Sequence, residues 1–177
     1  MNEDHSADRY RMFAAYNGWA NERLYAAAAR LEPAHYRADR GAFFGSVHGT
    51  LNHLLVADRI WLLRLTGEGT AVPLNTIVIE EFDALRAARA VEDARFTAFA
   101  APLDTAALNG AVRYANSSGA RFAQRLDVVL DHVFNHQTHH RGQVHALLTA
   151  FLGKDAGPSL DLIAYQREHG IGFVDAG

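Results

Sequence analysis

The chain has 177 residues, of which 49% are hydrophobic, and it carries a formal net charge of −3 with a pI of about 6.3. These values predict one domain over residues 1–177 and do not favour nucleic-acid binding, which usually relies on a basic surface. The absence of cysteine excludes disulfides, thiolate metal ligands and a cysteine nucleophile, and it is compatible with a reducing cytoplasm. No apolar run approaches the roughly 18 residues that a membrane-spanning helix needs, and the polar N-terminus is not typical of a signal peptide.

Apolar residues recur at intervals of three and four in three segments of the first hundred residues. Because this is the spacing of one buried helix face, the pattern predicts helices over residues 8–31, 42–66 and 77–100. A proline or glycine follows each segment and is expected to end it, namely Pro33, Gly67 and Pro102.

The second half of the chain contains a different element before the pattern returns. Residues 109–124 alternate briefly around a Ser-Ser-Gly turn, which predicts a small hairpin or an irregular loop. A fourth long helix is predicted over residues 126–152, and a short one over residues 159–168 with Ser159 as its N-cap. The fold class is therefore all-α: an up-down four-helix bundle with a short additional C-terminal helix and a small insertion before the fourth long helix.

Five of the ten histidines fall within residues 131–148, in the string DHVFNHQTHHRGQVHALL. On the predicted fourth helix, His136 and His140 occupy positions of the inward face where leucine or valine is expected. A buried imidazole needs a hydrogen-bond partner or a metal, because an unpaired one costs roughly 1–3 kcal/mol. His136 and His140 are also one turn apart, so both rings can reach a single point beside the helix.

The best third ligand in the sequence is His53, in GTLNHLLVADRIW, because mostly small residues flank it one turn away on each side. His48 is the competitor, and its place about 140° around the helix makes a common target with His53 unfavourable. His132 precedes His136 by one turn and is kept as a reserve ligand or as a partner of the ligands. Gln143 lies on the inward face and is expected to donate a hydrogen bond to a ligand imidazole.

Alternative interpretations of these residues stay open. A lone interior histidine is more often a hydrogen-bonded core residue than a ligand, so a bundle without metal remains possible. Gln137 stands between the histidines where a zincin would have its glutamate base, which disfavours a metalloprotease of that kind. Glu-x-x-His pairs, typical of di-iron bundles, are represented only by Glu32 and His35, which favours a mononuclear site. Arg141 could orient a substrate or form a surface or interface salt bridge.

The segments GTLNHLLVADRIW and NHQTHHRGQVHALL, about eighty residues apart, resemble the DinB/YfiT-like superfamily of metal-binding four-helix bundles. YNGWANERLY (Tyr16 to Tyr25) looks like the first helix of that family, and GPSLDLIAYQRE (Gly157 to Glu168) looks like its closing segment. The resemblance covers nearly the whole chain, and N-H-x-x-x-H-R-G-Q is its most specific string.

The resemblance implies a three-histidine site at His53, His136 and His140, with bound zinc or nickel and a homodimeric state. An acidic residue often stands in the family where this chain has Gln137. Characterised relatives include thiol-dependent S-transferases and a maleylpyruvate isomerase that uses a low-molecular-weight thiol. Two further classes remain beside a thiol-dependent enzyme of the cytoplasm: a non-catalytic structural or sensory metal-binding bundle and a metal-hydroxide hydrolase. Iron is a further candidate metal, because histidine nitrogens accept several divalent ions.

Overall fold

The computed structural model describes residues 5–69, 71–116 and 118–174. This part of the chain is mainly helical with one small two-stranded sheet. The helices are α1 (His5–Ala28), α2 (Pro33–Arg37), α3 (Val47–Thr66), α4 (Phe82–Ala100), α5 (Thr105–Leu108), α6 (Leu126–Leu152) and α7 (Leu162–Glu168). The strands are β1 (Ala111–Ala115) and β2 (Arg121–Arg125), and a 3-10 helix, Lys154–Ala156, follows α6.

Local sequence defines both ends of α3, the helix that carries His53. The Ser46 side chain accepts a hydrogen bond from the backbone N–H of Gly49, 3.0 Å away, and thereby caps the first turn. Gly67 ends the helix at a φ of 77°, a left-handed conformation that glycine adopts without steric strain. The predicted end of this helix is confirmed, whereas its first residue is Val47 rather than residue 42.

The long helices α1 and α6 run in the same direction. Near the start of α1, the Tyr10 hydroxyl donates to the Asp131 carboxylate of α6, 3.0 Å away. Further along both helices, Arg141 of α6 donates to the Asn17 side chain of α1. Since the contacts advance together along both helices, α1 and α6 are parallel neighbours.

The long helices α3 and α4 are also parallel, although they follow each other in the chain. Asp58 pairs with Arg89 at 2.7 Å, and beyond the end of α3 the Glu68 carbonyl accepts from Arg95 at 2.9 Å. Each of the four long helices contacts two others, α1 and α3 both packing against α4 and α6. The long helices therefore do not alternate in direction as the predicted up-down bundle requires, because two consecutive ones share a direction.

The connection between α3 and α4 returns along α3 because both helices point the same way. We call residues 71–81 the crossover. The Leu74 carbonyl lies 3.0 Å from Nδ1 of His53, and the N–H of Ile79 donates to Oδ1 of Asn52, also at 3.0 Å. The parallel helix pair thus places an irregular segment directly against side chains in the first half of α3.

A buried polar cluster joins three of the long helices beside the apolar core. Asp58 and Arg89 are 1% and 2% exposed and form an ion pair between α3 and α4. Gln137 of α6 donates through Nε2 to Oδ1 of Asp58 at 2.5 Å and to the Leu54 carbonyl at 3.2 Å. These bonds fix α3 relative to α6, because a buried polar group that loses its partner is costly.

The sequence predicted a small hairpin or an irregular loop, and the structure shows the hairpin: β1 and β2 pair antiparallel with Tyr114 opposite Phe122. The sequence did not indicate the short helices α2 and α5. The N-cap prediction for the last helix is wrong: α7 begins after Asp161, not after Ser159. Within the described residues, no helix combines the length and the apolar character needed to cross a membrane.

Candidate metal centre

Three histidines from two helices meet between α3 and α6. His53 belongs to α3, whereas His136 and His140 belong to consecutive turns of α6. One ring nitrogen of each lies within 4.8 Å of the other two, and no aspartate or glutamate of the described residues joins the group. The ring centroids are 4.5 to 5.1 Å apart. We call these three residues the histidine cluster.

His53 is held from two sides and is only 3% exposed. Its Nδ1 lies 3.0 Å from the Leu74 carbonyl, which can only accept, so Nδ1 carries the proton and Nε2 presents a lone pair. The Phe44 ring stacks on the imidazole with centroids 3.7 Å apart and planes 16° apart. The tautomer and the orientation of His53 are therefore both fixed by the surrounding chain.

The close approach of Phe44 to α3 depends on a glycine one turn before His53. A Cβ atom placed on Gly49 would lie 2.1 Å from the Phe44 carbonyl oxygen, a distance that no real contact allows. Gly49 therefore permits the loop before α3 to lie against the helix. As a result, the Phe44 ring of this loop can stack on the His53 imidazole.

His140 is oriented by a neighbour on its own helix. Its Nδ1 lies 2.9 Å from Oε1 of Gln143, an acceptor, so the proton is on Nδ1 and Nε2 is left with a lone pair. Nε2 of Gln143 lies 3.2 Å from Nε2 of His139, which suits the amide nitrogen as donor. Gln143 thus accepts from His140 rather than donating to it.

Burial keeps the rings of the cluster neutral. It lowers the pKa of His53 to about 4, with the nearby His140 contributing in the same direction. Burial also lowers the pKa of His136 to about 3, assisted by the charges that His140 and His53 would carry. The pKa of His140 is lowered by burial as well. Neutral imidazole is the form that binds metal, so the cluster is prepared for a cation at neutral pH.

The geometry of the cluster fits a divalent transition metal ion. Two nitrogens bound at about 2.0–2.1 Å to a tetrahedral zinc ion lie roughly 3.3 Å apart. Nε2 of His53 and Nε2 of His136 lie 3.2 Å apart. In addition, His53 and His140 each donate their other ring N–H to an oxygen, as metal-bound histidines usually do. The residues present thus satisfy the distance and the donor chemistry of such a site.

The carboxylates nearest in sequence to the histidine cluster form hydrogen bonds or ion pairs with residues outside it. Asp58 follows His53 by five residues, but its oxygens contact Gln137 and Arg89 in the buried polar cluster. Asp131 precedes His136 by five residues and accepts from Tyr10 of α1. As expected from helix geometry, neither acid is turned toward the histidine cluster, so neither serves as a base beside it.

Two other histidines considered from the sequence lie outside the cluster. The ring of His48 is turned toward Tyr36, whose hydroxyl is 3.1 Å from Nδ1, and toward Glu80 of the crossover. His132 is exposed, and its ring centroid is 5.7 Å from that of His136 and 5.2 Å from that of Trp61. His132 is thus a neighbour of the cluster and not a member.

Arg141 occupies neither of the places that the sequence suggested. It is 2% exposed, donates to Asn17 and Thr138, and lies over the Tyr16 ring at 5.3 Å. The side chain is therefore buried against α1, away from the surface. Its contacts provide no role in orienting a substrate at the histidine cluster.

Sequence reasoning missed the residues that support His53 from outside its own helix. Phe44 and the Leu74 carbonyl come from irregular segments whose path no periodic pattern reveals. Asn52 gave a partial signal, because an asparagine in an apolar helix interior needs backbone partners. It is 0% exposed and binds the crossover through both ends of its amide.

The fold and the histidine cluster define a helical protein with a candidate three-histidine metal centre. The chain belongs to the DinB family, whose profile matches residues 1–167. It is similar to Protein DinB of Bacillus subtilis (strain 168), with 26% identity over 141 residues that cover 75% of this chain and 80% of that protein.

Proposed function

We propose that this protein binds one divalent transition metal ion through His53, His136 and His140 and uses it to transform a small molecule. The convergence of three neutral imidazoles from α3 and α6 carries the proposal. Zinc or nickel is the preferred ion, and iron is a further candidate, because all three accept imidazole nitrogen. Three protein ligands leave a coordination position for a substrate or a water molecule, as in catalytic zinc sites.

The co-substrate that we propose is a low-molecular-weight thiol. A bound metal ion lowers the pKa of a coordinated thiol, so a thiolate is available near neutral pH. The chain has no cysteine, so the thiol has to come from outside it. A thiol-dependent S-transferase forms a bond between this sulfur and an electrophilic carbon, and the thiol proton ends on the adduct or on the displaced leaving group. A homodimer, suggested by the family resemblance alone, and a cytoplasmic location, with which the absence of cysteine is compatible, complete the proposal.

Cobalt substitution tests this function directly. Untagged protein is loaded with Co²⁺, and glutathione or 2-mercaptoethanol is added while the near-ultraviolet absorption is recorded. A sulfur-to-cobalt charge-transfer band is expected, and it should disappear in His140→Ala. If Co²⁺ binds but no thiol produces the band, the thiol-dependent proposal is wrong. His145→Ala is the matched control, because His145 belongs to α6 but not to the cluster.

The alternative is a metal site without catalysis, structural or sensory in role. Its support is the position of His132, one helical turn from His136 with ring centroids 5.7 Å apart. A rotation of this exposed side chain toward the ion would provide a fourth protein ligand and close the site. The cobalt experiment separates the two functions, because a closed site binds the ion without admitting a thiol. A metal-hydroxide hydrolase is less well supported, because both nearby acids are committed elsewhere.

A further inference from the structure

Aromatic side chains lead away from the histidine cluster in a continuous row. The ring centroids of His136 and His132 are 5.7 Å apart, and those of His132 and Trp61 are 5.2 Å apart. Trp61 is followed by Tyr114 of β1 at 5.2 Å, and Tyr114 by Phe122 of β2 at 5.6 Å. We call His132, Trp61, Tyr114 and Phe122 the aromatic row. It connects the cluster to the hairpin.

The aromatic row is partly open to solvent. His132 is exposed, Phe122 is 43% exposed, and the other two rings are half-buried. On their inner side, Trp61 and Tyr114 pack against a buried apolar group that includes Val129 and Val133. The inner side is thus supported by the core, while all four residues keep some solvent exposure. Planar rings stack favourably on such surfaces.

Arg64 adds a positive charge to the row. Its guanidinium carbon is 4.4 Å from the Trp61 ring centroid and 4.9 Å from the Tyr114 ring centroid. One of its nitrogens, Nη2, donates to the Ala115 carbonyl at 3.0 Å, which fastens the hairpin to α3. No carboxylate of the described residues forms an ion pair with it. Arg64 therefore has donors and charge to offer an anionic ligand.

The row lies within reach of the metal position. Trp61 follows His53 by two helical turns, a rise of roughly 12 Å along α3. Side chains on a helix lean toward its N-terminus, so the indole is displaced back toward His53. A molecule stacked on the row would therefore bring a neighbouring group toward His136, the ring nearest to His132 among those of the cluster.

We propose that the aromatic row and Arg64 form the binding subsite for the organic substrate, and that this substrate is a planar aromatic or conjugated anion. The row supplies stacking surface, Arg64 supplies the charge complement, and the histidine cluster receives the reactive end. The identity of the reacting centre rests on the proposed function. Binding at the subsite does not, because no member of the histidine cluster belongs to the aromatic row.

Fluorescence quenching of Trp61 tests the subsite. The other tryptophan, Trp19, is replaced by phenylalanine so that Trp61 alone reports. Metal-free and zinc-loaded proteins are titrated with 4-nitrobenzoate, a planar anion that quenches tryptophan, and with neutral 4-nitrobenzamide. Saturable quenching is expected, with the anion binding about tenfold more tightly than the amide, a difference of about 1.4 kcal/mol. Non-saturable quenching, or equal affinities, would overturn the proposal.

A matched pair of arginine variants identifies the cation. Arg64→Met is expected to abolish the preference for the anion, so that 4-nitrobenzoate binds no more tightly than 4-nitrobenzamide. Arg23→Met is the control, because Arg23 lies over Trp19 at 4.1 Å on α1 and has no contact with the row. It is made in the same background and should leave both affinities unchanged. Equal effects of the two substitutions would contradict the assignment of Arg64. The comparison of the two ligands on the parent protein needs no arginine variant. It therefore still tests the subsite if Arg64→Met does not fold.

The two proposals fail in different ways. If the protein binds 4-nitrobenzoate saturably but no metal, the proposed function is wrong and the subsite stands. If it binds metal through the histidine cluster but shows no saturable binding of the anion, the subsite alone is wrong.

Discussion

The Leu74 carbonyl accepts a hydrogen bond from Nδ1 of His53 over 3.0 Å, although the two residues lie twenty-one positions apart. This bond leaves the lone pair of His53 Nε2 facing His136. It exists because α3 and α4 are parallel, which makes the crossover return along α3. Asn52 fastens the crossover by accepting the N–H groups of Val78 and Ile79, both at 3.0 Å. The state of the histidine cluster therefore depends on a segment outside the two helices that build it.

Replacement of Asn52 by alanine is expected to weaken metal binding without removing any ligand. The crossover loses its attachment, so the Leu74 carbonyl no longer fixes the ring of His53. Loss of such a supporting interaction typically lowers metal affinity about 10- to 100-fold. The measurement is competition for Zn²⁺ with a chromophoric chelator.

Thr50→Val provides the matched control for Asn52→Ala. Thr50 is equally buried in α3, but its hydroxyl donates to the Ser46 carbonyl and does not touch the crossover. We expect it to lower the free energy of unfolding by about 1 kcal/mol while leaving zinc affinity unchanged. Equal zinc affinities for Thr50→Val and Asn52→Ala would contradict the role of the crossover.

Gln143 is expected to affect zinc affinity through His140. Gln143→Leu removes the oxygen that accepts from His140 Nδ1, so the ring loses its preferred tautomer and orientation. A loss of about 10- to 100-fold in affinity is expected, and Gln143→Glu should restore it because the carboxylate also accepts. Isothermal titration with Zn²⁺ measures both variants. A glutamate variant as weak as the leucine variant would show that the oxygen has no such role.

Replacing each of two helical glycines by alanine should change the stability of the protein in opposite directions. Gly49→Ala places a Cβ 2.1 Å from the Phe44 carbonyl oxygen, so the loop has to move away from α3. We expect a loss of stability of about 1–3 kcal/mol, as for other overpacked sites, together with weaker zinc binding.

Gly142→Ala, in α6, is the comparison variant. A Cβ atom at this position has no other atom within 4 Å, so the variant should stabilise the protein by about 0.5–1 kcal/mol. Urea unfolding distinguishes the two variants, and a stable Gly49→Ala protein with unchanged zinc affinity would refute the close-approach argument.

The stability of the metal-free protein should fall with acidity. His53 and His136 have pKa values of about 4 and 3 in the fold, against 6.5 for an ordinary histidine. Between pH 6.5 and these pKa values, the two histidines are protonated in the unfolded chain but stay neutral in the folded chain. The free energy of unfolding is therefore highest above pH 6.5 and decreases as the pH falls. The slope is at most about 1.4 kcal/mol per pH unit for each histidine, and less for the half-buried His136.

Urea unfolding of the metal-free protein, repeated at several pH values, measures this slope. His53→Gln and His136→Gln each remove one titrating ring and should flatten the dependence. A parent protein whose stability does not change between about pH 6.5 and 4.5 would contradict the burial of neutral imidazoles.

Much of the site was predictable because helical periodicity is a local property. His136 and His140 replace apolar residues on the inner face of α6, and α6 spans residues 126–152 as predicted. The small residues that flank His53 one turn away favoured it over His48, and the structure turns His48 toward Tyr36 instead.

The parts that the sequence did not predict depend on long-range packing. The parallel course of α3 and α4 follows from contacts such as that of Asp58 with Arg89, which no periodic pattern contains. The burial of Arg141 against α1 has the same origin, because an arginine in an apolar helix looks like a surface residue until its partners are known. The hairpin was predictable because its turn sequence is local.

The most direct test is a crystal structure of untagged protein with anomalous data collected at the zinc and nickel edges. One ion is predicted, bound by His53, His136 and His140 with bonds of about 2.0–2.1 Å if it is zinc. A further position should be filled by solvent or a thiol. Well-ordered histidine rings without any ion, or an ion held by other residues, would contradict the central claim.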